Sequence, residues 1–213
     1  MKNICFITTT RAEYGLLKPL IKFIELNHNI ILIVSGTHLL PNFGNSYQEI
    51  EKDFSNLCKI PIMDENNMDV CKTMSNVFNI FPQEVKNINH KNKIDLAIVL
   101  GDRFEIFAIS QVLFILGIKI CHLAGGDETK GALDDEFRNS ISQICNYHMP
   151  FSEESKNRLL RMNINSNKIF LIGNPGLEIF NNYNCTTTKQ KIIEKYKLNN
   201  DYIFVVFHPE TKR

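Results

Sequence analysis

The sequence predicts an α/β fold: a Rossmann-like parallel sheet with helices on both faces. Three observations carry this. Short β-branched apolar runs alternate along the chain with segments of helical period. Two runs, Ile94–Leu100 and Tyr202–Phe207, are apolar nearly throughout, as strands covered on both faces are. Several strand ends pass directly into turns rich in glycine, hydroxyl and charge. Strand–helix alternation of this kind implies right-handed βαβ crossovers.

The elements follow in order. Ile4–Thr8 is a strand, and Leu16, Leu17, Leu20 and Ile24 place a helix over Glu13–Leu26. Ile30–Val34 is a second strand and Leu57–Ile62 a weak third. Met68–Ile88 has helical period, and Pro82 is expected to kink or split it. Ile94–Leu100 is a strand, Phe104–Leu116 a helix and Ile118–Leu123 a strand. Leu133–Cys145 is helical, Tyr147–Phe151 short and extended, and Glu153–Arg161 helical. A strand at Ile169–Ile172 ends in Gly173-Asn174-Pro175-Gly176. A helix at Lys189–Tyr196 precedes the strand Tyr202–Phe207. Residues 1–172 are thus expected to form one domain, 173–188 a hinge, and 189–213 the start of a second domain.

Composition narrows the class. The chain has 213 residues, net charge +1, 44% hydrophobic and 22% charged residues. This is ordinary globular composition and gives no electrostatic footprint for nucleic acid. The longest apolar stretch, Ile106–Ile118, is interrupted by Ser110 and Gln111 and falls short of the roughly 20 residues a spanning helix needs. No membrane partner is expected, and the N-terminus lacks a signal-peptide core, which points to the cytoplasm. The six cysteines are scattered without a CxxC pair and read as reduced thiols.

Ligands of such sheets bind beyond the carboxyl ends of the strands. After the first strand, Thr8-Thr9-Thr10-Arg11 precedes a helix, whose N-terminus is able to hold a phosphate; a threonine cap beside an exposed arginine is an equally good reading. No GxGxxG motif accompanies it, which argues against a dinucleotide-binding dehydrogenase. Ser35-Gly36-Thr37-His38 follows the second strand, and Gly101-Asp102-Arg103-Phe104-Glu105 follows the best strand. The densest constellation runs from His122 to Arg138, with one imidazole, five carboxylates and three glycines. Crowded carboxylates have their pKa values pushed apart, which suits paired acid and base roles. Helix capping by Asp134 or Asp135, with Arg138 as an ion-pair partner, accounts for part of it. His28 and His90 read as surface residues and His148 as a hydrogen-bonded core histidine. No ligand spacing calls for a metal, and no cofactor is expected.

Together these motifs resemble the hydrolysing UDP-N-acetylglucosamine 2-epimerases, including the branch that feeds sialic-acid-like and legionaminic-type sugars. The resemblance rests on Thr10-Arg11-Ala12-Glu13-Tyr14-Gly15 with Lys18-Pro19, Gly36-Thr37-His38-Leu39 through Tyr47, Gly101–Glu105, His122 with Gly125-Gly126, Gly131–Asp135, Gly173–Gly176, and Phe207-His208-Pro209-Glu210-Thr211. It implies two Rossmann-like domains in a GT-B-like arrangement, with the site in the cleft between them. The implied reaction removes the C2 proton of a nucleotide sugar as the nucleotide leaves C1, and water then adds to the glycal-like intermediate. By resemblance, Asp102 and Asp134 are the acid and base carboxylates, Arg11 and His208 contact the diphosphate, and His122 and Arg138 position the sugar or those carboxylates. Arg103 joins the substrate-binding set, and His38 lines the cleft. Relatives commonly carry glutamate or histidine where this chain has Ala124; three readings stand open, that a catalytic carboxylate is missing, that Asp127 or Glu128 takes its place, or that the sugar differs, such as a 2,4-diacetamido-trideoxy one. Relatives often have glycine and histidine where this chain has Thr9 and Asn139. The implied partner is a nucleotide sugar, and the implied full-length protein is a homo-oligomer. Relatives are nearly twice as long, so the chain reads as a truncated form with little turnover by itself. A related-fold non-hydrolysing epimerase or glycosyltransferase, and a non-catalytic remnant, are the alternatives.

Overall fold

A computed structural model describes residues 1–66, 69–178, 185–199 and 202–206, and of residues 185–188 the backbone only. Six parallel strands form one sheet in the order β3-β2-β1-β4-β5-β6. They are β1 Asn3–Thr8, β2 Asn29–Ser35, β3 Leu57–Ile60, β4 Leu96–Leu100, β5 Ile120–Leu123 and β6 Tyr147–Met149. The order doubles back at β1 and β4, which pair with Phe6 opposite Ile98. A crevice therefore opens between the β1 and β4 turns, where the connections leave to opposite faces.

Strand periodicity sends alternate side chains to two cores. Cys5, Ile7, Ile33, Ala97 and Val99 face one core, closed by α3 (Val70–Lys91), α4 (Phe104–Ile115) and α5 (Asp134–Ile144). Ile4, Phe6, Leu32, Val34, Ile98 and Leu100 face the other, closed by α1 (Arg11–Glu25) and α2 (Tyr47–Asp53). The two faces explain why the middles of β1 and β2 and the whole of β4 are apolar.

Helix α1 begins at a capping box. Thr10 Oγ1 accepts from the Glu13 N–H at 3.3 Å, and the Glu13 carboxylate accepts from the Thr10 N–H at 3.0 Å. Replacing Thr10 by alanine removes the first of these bonds and is expected to lower stability by about 1 kcal/mol. Urea unfolding measures this; an unchanged midpoint would count against the cap.

Several elements differ from the sequence expectation. Helix α3 runs unbroken through Pro82, because Val77, Phe81 and Val85 hold one face of it in the core on both sides of the proline. Helix α2, too short for a clear period, was not foreseen; Ile50 anchors it. Ile169–Ile172 is no strand: only Ile169 makes a bridge, to His148. Residues 202–206 also form no strand, with Ile203 90% and Phe204 82% exposed. A strand needs a neighbour to pair its N–H and C=O groups, and none of the described residues supplies one there. Helix α6 (Glu153–Arg161) is as expected, and α7 (Cys185–Tyr196) begins four residues before its expected start at Lys189. Phe207 lies outside the described residues.

Candidate active site

A cleft of 370 Å³ opens at the β1/β4 crossing, lined by residues that include Glu13, Asp102, Arg103, Ala124, Asp127 and Arg138. A second hollow of 420 Å³, at the β3 edge, is lined by Cys58, Lys59, Glu84 and Lys91 and holds none of the expected site residues.

Arg138 is the hub of the cleft. It stands one turn into α5 with its side chain 5% exposed. Its Nη2 donates to Asp102 and, at 2.9 Å, to Thr129 Oγ1. Its Nη1 donates to Asp135 and, at 2.8 Å, to the Asp127 carbonyl. One guanidinium thus joins the β4 turn, the 127–129 loop and the first turn of α5. The planar fork suits this task, whereas a lysine would offer a single point charge.

Asp102 sits in the turn after β4. Burial raises its pKa, Arg138 pulls it back, and Asp134 pushes it up again. The net direction is upward, which moves this carboxyl toward the range useful for proton transfer. Asp134 opens α5 as a near neighbour of Asp102 but does not line the cleft. Asp135 pairs with Arg138 and accepts from the Thr129 N–H at 2.8 Å, which is the structural ion pair expected for one of the two aspartates.

His122 works from beneath. It is fully buried on β5, and its pKa is pushed down to about 3 by burial, so it is neutral at physiological pH. Nε2 lies 2.7 Å from the Gly101 carbonyl and Nδ1 3.0 Å from Ser142 Oγ. A carbonyl only accepts, so Nε2 carries the hydrogen and Nδ1 accepts from the serine. The imidazole therefore clamps the β4 turn that presents Asp102, and is no proton carrier here.

The other expected residues divide. Asp127 lines the cleft and accepts from Ser155 Oγ on α6. Glu128 is exposed, 3.3 Å from Arg158, and does not line it. Arg103 lines it while binding the fully buried Glu105 through Nε and Nη2, the latter at 2.6 Å. Arg11 is exposed, pairs with Glu49 at 2.9 Å and is not among the lining residues. His38 is fully buried, between Thr8 Oγ1 at 2.9 Å and Ser46 Oγ at 2.8 Å, and burial lowers its pKa to about 4. His208 lies outside the described residues. Ala124 lines the cleft at a φ of 58°, a left-handed conformation at the tip of β5.

Sequence reasoning missed Glu13, Glu105, Phe151 and Asn174 as site residues. The threonine-x-x-glutamate spacing at Thr10–Glu13 could have flagged the first. Glu105 and Asn174 lie within the Gly101–Glu105 and Gly173–Gly176 motifs, which were the signal available for them; nothing local marks Phe151, which the fold brings to the cleft. Among the described residues, no group of three or more His, Cys, Asp or Glu is disposed to hold a metal ion. No helix among them is long and apolar enough to cross a membrane.

A doubly wound parallel sheet with a carboxylate–arginine cleft at its switch point defines an α/β protein of the Rossmann-like, GT-B-like class. Residues 24–213 match the family model described as UDP-N-acetylglucosamine 2-epimerase, and the chain belongs to that family. It is 35% identical over 99% of its length to the Campylobacter jejuni protein named GDP/UDP-N,N'-diacetylbacillosamine 2-epimerase (hydrolyzing), of which it covers 55%. It is 31% identical over 98% of its length to the Legionella pneumophila UDP-N,N'-diacetylbacillosamine 2-epimerase (hydrolyzing), covering 56% of it. The crystal structure of UDP-GlcNAc 2-epimerase from Neisseria meningitidis bound to UDP-GlcNAc superposes with a TM-score of 0.74 at 20% identity. That match covers 92% of this chain and 53% of the other. The chain thus spans about half the length of the relatives it matches.

Proposed function

We propose that this chain carries the proton-transfer half of a hydrolysing nucleotide-sugar 2-epimerase. The observation that carries the reading is the convergence of Asp102, Asp127 and Arg138 on one cleft at the ends of β4 and β5. A carboxylate there removes the C2 proton of a 2-acetamido sugar while the nucleoside diphosphate leaves C1. Such a proton is weakly acidic, so a positioned base is needed. Water then adds across the glycal-like double bond and the free 2-epimeric sugar departs. Asp102 and Asp127 are the acid and base pair in this reading, with Asp134 acting on Asp102 through its charge. Asp127 replaces a carboxylate at position 124, where only a methyl group faces the cleft. Arg103 supports the developing diphosphate charge, and Arg138 holds the two loops in register.

The substrate is UDP-N-acetylglucosamine or UDP-2,4-diacetamido-2,4,6-trideoxyglucose. The names of the Campylobacter and Legionella relatives favour the diacetamido sugar.

The test is NMR in deuterated water with each nucleotide sugar, on protein isolated at its cellular length. Expected is release of UDP and a free 2-epimer carrying deuterium at C2. An epimer still attached to nucleotide would mark a non-hydrolysing enzyme, and transfer of sugar to an acceptor a glycosyltransferase; either overturns the reading.

A further inference from the structure

Glu13 stands apart from the carboxylates above. Its Oε2 accepts from the Thr9 N–H at 2.7 Å, Thr9 Oγ1 at 2.9 Å and the Thr10 N–H at 3.0 Å. The turn after β1, one of whose two sequence readings was a phosphate site, thus already holds the chain's own carboxyl group. Its Oε1 is buried and has no hydrogen-bond partner among the described residues. The residue is 7% exposed and lines the cleft. A carboxylate with one dry, unpartnered oxygen is costly to keep ionised.

The charged groups acting on it are Arg103, which favours the carboxylate, and Glu105, which opposes it. Arg103 is already bound to Glu105 through two of its nitrogens. One guanidinium therefore faces two buried carboxyl groups and cannot neutralise both.

We propose that Glu13 is a positioning residue of the cleft that takes up a proton when an anionic ligand occupies it. The proton comes from solvent and settles on Oε1, the oxygen without a partner. Neutral Glu13 still accepts from Thr9 and Thr10 through Oε2, so the loop stays in place. Its negative charge leaves the wall beside the ligand, and Arg103 is then shared between Glu105 and the diphosphate rather than with a second buried carboxylate. This rests on the nucleotide-sugar reading, which makes the ligand a diphosphate.

Burial pushes the Glu13 carboxyl up to about 7, against the bonds from Thr9 and the pull of Arg103. A further negative charge in the cleft raises it more. By linkage, a ligand that prefers the neutral form binds more weakly as pH rises through this range, by up to about tenfold per pH unit.

The experiment is a carbon-13 NMR titration of the Glu13 carboxyl, in the free protein and with UDP-N-acetylglucosamine, whose phosphates stay ionised throughout. The Glu13→Gln spectrum identifies the resonance, and through-bond correlation in the wild type serves if that variant does not fold. Expected is a midpoint near neutrality that climbs on ligand binding, with weaker affinity at higher pH in wild type and a flat profile in Glu13→Gln. A free-protein midpoint in the ordinary carboxylate range would overturn the proposal, as would an unmoved midpoint in protein saturated with ligand. Failure of both UDP-N-acetylglucosamine and UDP-2,4-diacetamido-2,4,6-trideoxyglucose to bind at any pH would count against the nucleotide-sugar reading instead. Concentrated sulfate then decides Glu13: a raised midpoint supports the proposal, and an unmoved one overturns it.

Discussion

Replacing Arg138 by methionine is expected to destabilise the protein by about 3 kcal/mol and to abolish turnover. The side chain is 5% exposed, and its two carboxylate partners, Asp102 and Asp135, are 26% and 25% exposed. Methionine matches the apolar stem but removes every donor. Asp102 and Asp135 lose their counter-ion, and the Asp127 carbonyl and Thr129 hydroxyl lose a bond. Stranding buried charges by removing one partner costs about 3–5 kcal/mol, and the partial exposure of these aspartates places the effect at the lower end. The pKa of Asp102 should climb further, since the charge that restrains it is gone. Arg138→Lys separates charge from geometry. It keeps a cation near Asp102 but cannot span the 127–129 loop and both aspartates, so a partial stability loss with a large fall in kcat is expected. Urea unfolding and deuterium incorporation at C2 measure the two effects. Wild-type stability in Arg138→Met would sink the hub assignment.

Gly126→Ala should be nearly as damaging, through sterics alone. Gly126 has a φ of 81°, a region alanine adopts only under strain. A Cβ there would lie 2.2 Å from the Ser155 carbonyl oxygen and 2.9 Å from Leu159 Cγ. The nearest obstacle is backbone of α6, which cannot swing aside as a side chain can. Either α6 moves off the sheet or the 125–127 loop moves, and the Ser155–Asp127 contact goes with it. A loss of about 3 kcal/mol is expected, lowering Tm by roughly 10 °C in a chain of this size. Gly117→Ala is the control: its φ is 71°, yet nothing lies within 4 Å of the added methyl. It should show the conformational strain alone, about 1 kcal/mol. Equal Tm changes in the two variants would refute the contact with α6.

The sequence was enough for the order of β1 to β6 and of the longer helices, because those signals are local, but not for α2 or for the two later apolar runs. Apolar runs marked β1, β2 and β4, and helical spacing marked α1 and α3 to α6. The resemblance in motifs agrees with the family. It was also enough to see that Asp134 or Asp135 would pair with Arg138, since helix geometry alone brings residues three and four apart together. Tertiary structure decided the rest. Asp102 reaches Arg138 across 36 positions of sequence only because β4 and β5 are neighbours in the sheet. Asp127 and Glu128 are adjacent in sequence, yet one lines the cleft and the other pairs with Arg158 at the surface. The resemblance gave His122 the task of positioning the sugar or the carboxylates, and only burial in the fold makes it a neutral clamp on the β4 turn. The spacing of Glu13 from Thr10 suits a capping box, but that one of its carboxylate oxygens is buried without a partner is visible only in the fold. Spacing governs which residues share an element; a side chain's charge and reach are governed by the water it loses and the partners it meets, and both come from elements distant in sequence.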